Sequence, residues 1–459
     1  MSSIYKSHLV SGFSSTIISP KSQIELGGFG YYLKRINTGI LDDIFTKALY
    51  ISTKDNAVLL ISNDLIGLTS KSASSIAREI SSKTEIPKEN IIISCTHTHS
   101  APATAELEGC GKIDNRYMQW LKTKIVKNAI KATTNPSQTK IAFKKFKIES
   151  FSFNKSLPQK TKKKQDVLLL SFETPKNEIL LTQFSTHPVV LGNQFTVISK
   201  DFLRAFYSFA NENNFDKIIF FTGACGEILP DIVRKKASTK SSGDSFISKI
   251  LFKQENETLK KKLLKQYKTG RWEKIIPDHI KVITRDIVLK FKIPSYYKDT
   301  EKMKHYFESI FYDRVDLNKG LIRAVEEKKD PNVRKKEERA KGVQKIISTR
   351  FYQYKRQLKN KGIEFSSKIR STIIQLGDVI IVALPFEVTN KLETTLRSLY
   401  PKLFLFCYTN GLEGYVYDPD ESTSYPRTRG SLLYNLFPFE KTSYNKLLSK
   451  IKKILKFNL

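Results

Sequence analysis

The sequence holds no apolar run approaching the ~20 residues that cross a bilayer, and its opening stretch, MSSIYKSHLVSGFSS, has no apolar core of signal-peptide length. Together these absences predict a cytoplasmic protein. Cysteine is scarce: the four, Cys95, Cys110, Cys225 and Cys407, include no close pair. That excludes a CxxC metal motif and a disulfide framework, and leaves buried thiols as the expectation. There is no zinc-finger or RNP signature, internal repeat or low-complexity tract, so no specific nucleic-acid partner is expected. Histidine is scarce too, at six residues, which makes the position of each one informative.

What is abundant is lysine. Lysine and arginine number 78 against 45 acids, a net charge of +33 in 459 residues. Such a balance attracts anionic surfaces, acidic membrane lipid included. The lysines are nevertheless spread along the chain, as on a solvated basic surface. With 40% hydrophobic and 27% charged residues, the composition is that of a globular protein able to bury a large core.

Short runs rich in branched residues read as strands: AVLLIS (57–62), IIISC (91–95), EILLTQFS (178–185), KIIFFT (217–222), VIIVAL (379–384) and LFLFCY (403–408). Helical spacing over 72–84, and over the stretch that Thr389 can cap, alternates with them. The expected class is α/β, a mixed central sheet covered by helices, in one domain over 1–459. Segments 250–275 and 298–362, dominated by Lys, Arg and Glu, read as solvated helices packed beside it. Between them, 280–293 alternates like a half-buried strand.

Polar residues of metal-binding or catalytic type follow the apolar runs: Asn63 and Asp64, then Thr96 to His99, His187, Glu227 and Glu387. Ligands of open α/β sheets bind beyond the carboxyl ends of strands, so a composite site is expected there. His97, His99 and His187 all fall at such ends, and on an extended backbone His97 and His99 would face one side. Two imidazoles with a carboxylate suit zinc.

The blocks SGFSSTIISPKSQIELGGFG (11–30), TGILDDIFTKALYI (38–51), IPKENIIISCTHTHSAPAT (86–104), FSTHPVVLG (184–192), FFTGACGEILP (220–230), LPFEVTNKLETTLR (384–397) and GYVYDPDESTSY (414–425) occur in that order. In them the chain resembles the neutral/alkaline, non-lysosomal ceramidase family across its catalytic domain. THTHS followed by a small residue and proline is the most characteristic match. The carboxyl-terminal immunoglobulin-like domain of larger family members is not expected here.

The resemblance implies a zinc-dependent hydrolase cleaving the amide bond of an N-acyl, ceramide-like substrate by a zinc-activated water. It implies His97, His187, Glu387 and Tyr415 as zinc ligands. His99 would stand beside the metal and move a proton to the leaving amine, Tyr425 would hydrogen-bond the scissile carbonyl, and Lys155 would help stabilise the oxyanion. Lys155 replaces an arginine frequent in the family and lacks its planar fork. The family's Gly-Asp-Val-Ser-Pro reads here Gly226-Glu227-Ile228-Leu229-Pro230, which excludes any mechanism needing a serine at that point. Asp64 and Glu227 either orient a ligating histidine or cap a helix. The competing reading is a non-catalytic, ceramidase-like protein whose basic surface binds an anionic membrane or another acidic partner.

Overall fold

Strands that are apolar on both faces need cover on both sides, and the chain supplies it in layers. The computed structural model describes residues 8–157, 162–233, 245–277, 279–312, 331–360, 362–420 and 430–458. One five-stranded sheet runs in the spatial order Ile91–Cys95, Ala57–Asn63, Phe45–Ser52, Val10–Ile17, Ser137–Gln138. A four-stranded sheet orders Ile280–Lys290, Ser366–Leu376, Val379–Ala383 and Leu403–Phe406. A bridge between Ser94 and Thr409, and a bond from Cys95 N to Tyr408 O, join the edges of these two sheets.

A third sheet is built on the long antiparallel pair Lys140–Asn154 and Lys162–Glu173, continued by Glu178–Phe184 and Lys217–Thr222. Leu49, Leu60, Ile92, Leu181, Phe221 and Ile381 belong to the apolar core it shares with the other two. Helices Ser70–Thr84, Asn115–Thr133, Asn390–Leu399 and Thr442–Asn458 cover the outer faces of the joined sheets. Leu203–Glu212 and Ser245–Tyr267 cover the third sheet. The mixed α/β class read from the sequence holds, with its strands divided between two packed layers.

Several local expectations are sharpened. Ile280–Lys290 is the expected alternating strand. The charged segment at 250–275 is helical only to Tyr267; Gly270, at φ +74°, turns the chain, and Glu273–Ile275 pairs with the third sheet. The segment 298–362 contains helices Thr300–Tyr312 and Pro331–Asn360, which bury Met303, Phe307, Ile346 and Tyr354 between them. Thr389 does occupy the N-cap of Asn390–Leu399, but its hydroxyl accepts from Asp418 N at 2.8 Å. Glu227 caps the helix instead, accepting from Asn390 N at 2.9 Å. All four cysteines are free and buried. Among the described residues, no helix is long and apolar enough to cross a membrane.

Each sheet contains a parallel pair: Ala57–Asn63 with Ile91–Cys95, Glu178–Phe184 with Lys217–Thr222, and Val379–Ala383 with Leu403–Phe406. Their carboxyl ends are tied across the layers. Thr222 Oγ1 donates to Thr96 O at 2.7 Å, and Cys407 N to Thr222 O at 3.0 Å. Segments far apart in sequence therefore deliver their strand-end residues to one place.

Candidate metal centre

His97 follows Ile91–Cys95 by a turn. Its φ of +67° is unusual for a side chain with a Cβ, and it breaks the extended run expected over THTH. The bonds from Thr96 N to Asn63 O and from His97 N to Leu65 O hold that turn. Despite the kink the rings of His97 and His99 meet, with centroids 5.0 Å apart and Nε2 atoms separated by 3.4 Å. His187 arrives from the end of Glu178–Phe184, its ring 5.1 Å from that of His97. Each of the three offers a nitrogen, and these nitrogens all lie within 4.8 Å of one another.

The protons on two of these rings follow from their partners. His97 Nδ1 lies 2.6 Å from Ile66 O, and His187 Nδ1 lies 2.5 Å from Cys225 O. A carbonyl only accepts, so each Nδ1 carries the hydrogen, and in the neutral ring each Nε2 carries a lone pair. The Tyr408 ring stacks flat on His97 at 3.9 Å and fixes its plane.

Glu387 faces both bare nitrogens. It begins the two-residue strand Glu387–Val388, paired in parallel with Tyr415–Val416, so that Glu387 and Tyr415 are direct neighbours. Its Oε1 lies 2.8 Å from His187 Nε2 and its Oε2 3.7 Å from His97 Nε2. The shorter contact is close enough for an ion pair, yet Oε1 is buried without an aligned hydrogen-bond donor. With both rings neutral, lone pairs on two imidazoles and a carboxylate converge on one buried space. A buried donor set of this kind can hold a cation, and its chemistry fits zinc.

Burial pushes His97 down to about 4 and His99 well below the usual histidine value. Burial would raise the Glu387 carboxyl, but the neighbouring His187, His97 and Lys155 outweigh it and hold the group at about 2. Burial also lowers Lys155, whose charge is felt by Glu387 and Glu227. Lys155 is positioned by a backbone bond to Glu227 O at 2.9 Å, beside the strand register that sets Leu229 opposite Phe153.

The structure therefore brings together His97, His99, His187 and Glu387, with Tyr415 paired beside Glu387 and Lys155 within electrostatic reach. Tyr425 lies outside the described residues. Of the two acids, Glu227 caps a helix, and Asp64 Oδ2 accepts from Phe45 N at 3.0 Å. Sequence reading missed Tyr434, whose hydroxyl donates to Glu387 Oε2. No spacing rule singles it out among twenty tyrosines.

These features define an α/β fold with a candidate metal site at its strand ends, a fold shared with solved ceramidases. The neutral ceramidase from Pseudomonas aeruginosa superposes with a TM-score of 0.66 at 13% identity, over 99% of this chain and 75% of that one. A ceramidase complexed with C2 also superposes at 0.66, with 12% identity over 99% of this chain and 76% of its own. No protein-family model matches the sequence.

Proposed function

We propose that this protein is a zinc-dependent hydrolase that cleaves the amide bond of an N-acyl, ceramide-like substrate. The observation that carries the reading is the convergence of His97 Nε2, His187 Nε2 and an unsatisfied Glu387 oxygen, inside a ceramidase-like fold. His97, His187 and Glu387 would hold the metal, with Tyr415, neighbour of Glu387, as the further ligand. Zinc bound there would supply Lewis acidity and acidify a water toward a pKa of about 7.

The chain's own groups do the rest. His99 presents Nε2 to the same space. It is placed to take the proton released by the attacking water and pass it to the leaving nitrogen. The Lys155 ammonium and the Tyr425 hydroxyl are assigned to the charge that develops on the acyl oxygen, where one such donor is worth about 100- to 1000-fold in rate. The +33 net charge provides attraction to an anionic membrane presenting a lipid substrate.

Leu229, half-buried at the point where the ceramidases carry a serine, favours the second reading, a binding protein without turnover. One experiment separates the two. Metal content and release of fatty acid from N-acyl sphingosine and simpler N-acyl amines are measured for wild type and His97→Ala, with and without chelator. About one zinc per chain and chelator-sensitive hydrolysis, both lost in the variant, support the hydrolase. Zinc without turnover on any of these amides supports the binding protein, and a wild type that takes up no zinc rules out the hydrolase and leaves the binding reading.

A further inference from the structure

Glu387 is oriented from outside its ligand set. The Tyr434 hydroxyl donates to its Oε2, the oxygen nearer His97. Tyr434 ends a single helical turn, Ser431–Tyr434, too short to hold its own position. Arg350 holds it. Its Nε donates to Leu432 O at 2.7 Å and its Nη2 to Leu433 O at 3.0 Å. Arg350 is only 7% exposed, and Gln353 Oε1 accepts its Nη1 at 2.6 Å. Glu108 N adds a second bond to Leu433 O at 2.8 Å, pinning the turn from the other side.

Arg350 and Gln353 belong to the basic helix Pro331–Asn360. The same helix also packs closely at Gly342, where a Cβ would fall 2.1 Å from Tyr31 O. Tyr31 follows the turn Gly28-Phe29-Gly30, and the Phe29 ring stands edge-on to His99 at 4.8 Å. The missing side chain lets the helix close on that turn.

We propose that the basic helix is a built-in brace of the metal centre, in which Arg350, through the Leu432 and Leu433 carbonyls, and Tyr434, through its hydroxyl, position the Glu387 carboxylate for the metal. The proposal rests on the zinc reading above. A carboxylate at the end of a two-residue strand has rotamers to choose from, and a donor fixed on one oxygen leaves the other aimed at the cation. Arginine suits the task because its planar fork spans two successive carbonyls, which a lysine cannot do.

The test is zinc affinity of the full-length protein, by competition with a chromogenic chelator, for wild type, Tyr434→Phe, Arg350→Lys and the double variant, with melting temperatures alongside. Loss of an outer partner of a ligand typically costs about 10- to 100-fold in metal affinity. Tyr434→Phe, which removes one oxygen atom, should show that loss with little change in melting temperature. Arg350→Lys should show a loss of the same kind, and the double variant should be no weaker than the weaker single, because the two residues act in series. Wild-type affinity in Tyr434→Phe overturns the proposal even if Arg350→Lys fails to fold, and so do losses that multiply in the double variant. A wild type that binds no zinc overturns the metal reading and the brace with it.

Discussion

His187 Nε2 and Glu387 Oε1 stand 2.8 Å apart in a buried site, and the bond from His187 Nδ1 to Cys225 O leaves no proton to share between them in the neutral ring. Two electron-rich atoms held this close repel unless a cation lies against both. The same relation holds more loosely between His97 Nε2 and Glu387 Oε2, at 3.7 Å. The position of Cys225 O is therefore part of the site, and so is whatever holds Cys225 in place.

Ile228 N donates to Cys225 O at 2.9 Å, and Glu393 anchors the preceding residue, Ala224. This buried carboxylate accepts from Ala224 N at 2.7 Å, from Ser185 Oγ and from Gln183 Nε2, and pairs with Arg397. Glu393→Ala leaves the Arg397 guanidinium short of a buried partner, an error that costs about 3–5 kcal/mol. Urea denaturation should register that loss. The zinc content of the variant that still folds should fall as well, because the anchor beside the Cys225 carbonyl is lost.

Acid should destabilise the metal-free protein between pH 6.5 and about 4. Burial, offset in part by the Glu387 charge, lowers His97 from 6.5 to about 4. Within that window the unfolded chain binds the proton that the folded chain refuses. The stability contributed is thus complete above pH 6.5 and declines as the pH falls toward 4. The full effect is about 3 kcal/mol. Urea midpoints of chelator-treated protein at pH 7 and pH 5 give the slope, and His97→Gln should make it shallower, with His99 supplying the remainder.

Gly28→Ala separates a proton-moving His99 from a ligating one. Gly28 sits at φ +91°, and a Cβ there would lie 2.5 Å from His99 Nδ1. The ring must shift, and a displacement of about 1 Å near the chemistry costs about 100-fold in rate. On the proposed function, hydrolysis of an N-acyl substrate should drop by that order while zinc stays bound. Loss of zinc along with activity would place His99 among the ligands instead.

Arg35→Lys should loosen the mouth of the site. The buried Arg35 guanidinium donates to Gly27 O, His99 O, Asn193 O and Phe195 O, at 2.9 to 3.2 Å. Lysine cannot reach four carbonyls in one plane, and each abandoned acceptor costs about 1–3 kcal/mol. A melting temperature several degrees lower, with KM raised more than kcat is reduced, is the expected outcome.

How much of this was legible beforehand differs from element to element. Ile91–Cys95 and Val379–Ala383 announce themselves because strands buried on both faces must be apolar throughout. The strand-end placement of His97, His187 and Glu387 followed from those runs. The lysine-rich stretch 298–362 was read as solvated, since charge density is what a sequence displays. The packing of Arg350 and Gly342 was not legible, because a long buried side chain and an absent one depend on what lies opposite.

The linear order of residues determined the α/β class, the apolar strands and the polar residues at their ends, because these depend on local pattern and on burial. Only the tertiary structure decided which carbonyls take the Nδ1 protons of His97 and His187, that Glu227 caps a helix, and that the Tyr434 hydroxyl donates to Glu387. The physical reason is that hydrogen bonds reach about 3 Å, and the partners that come within that reach here, Glu387 and Tyr434 among them, are separated by dozens to hundreds of residues along the chain.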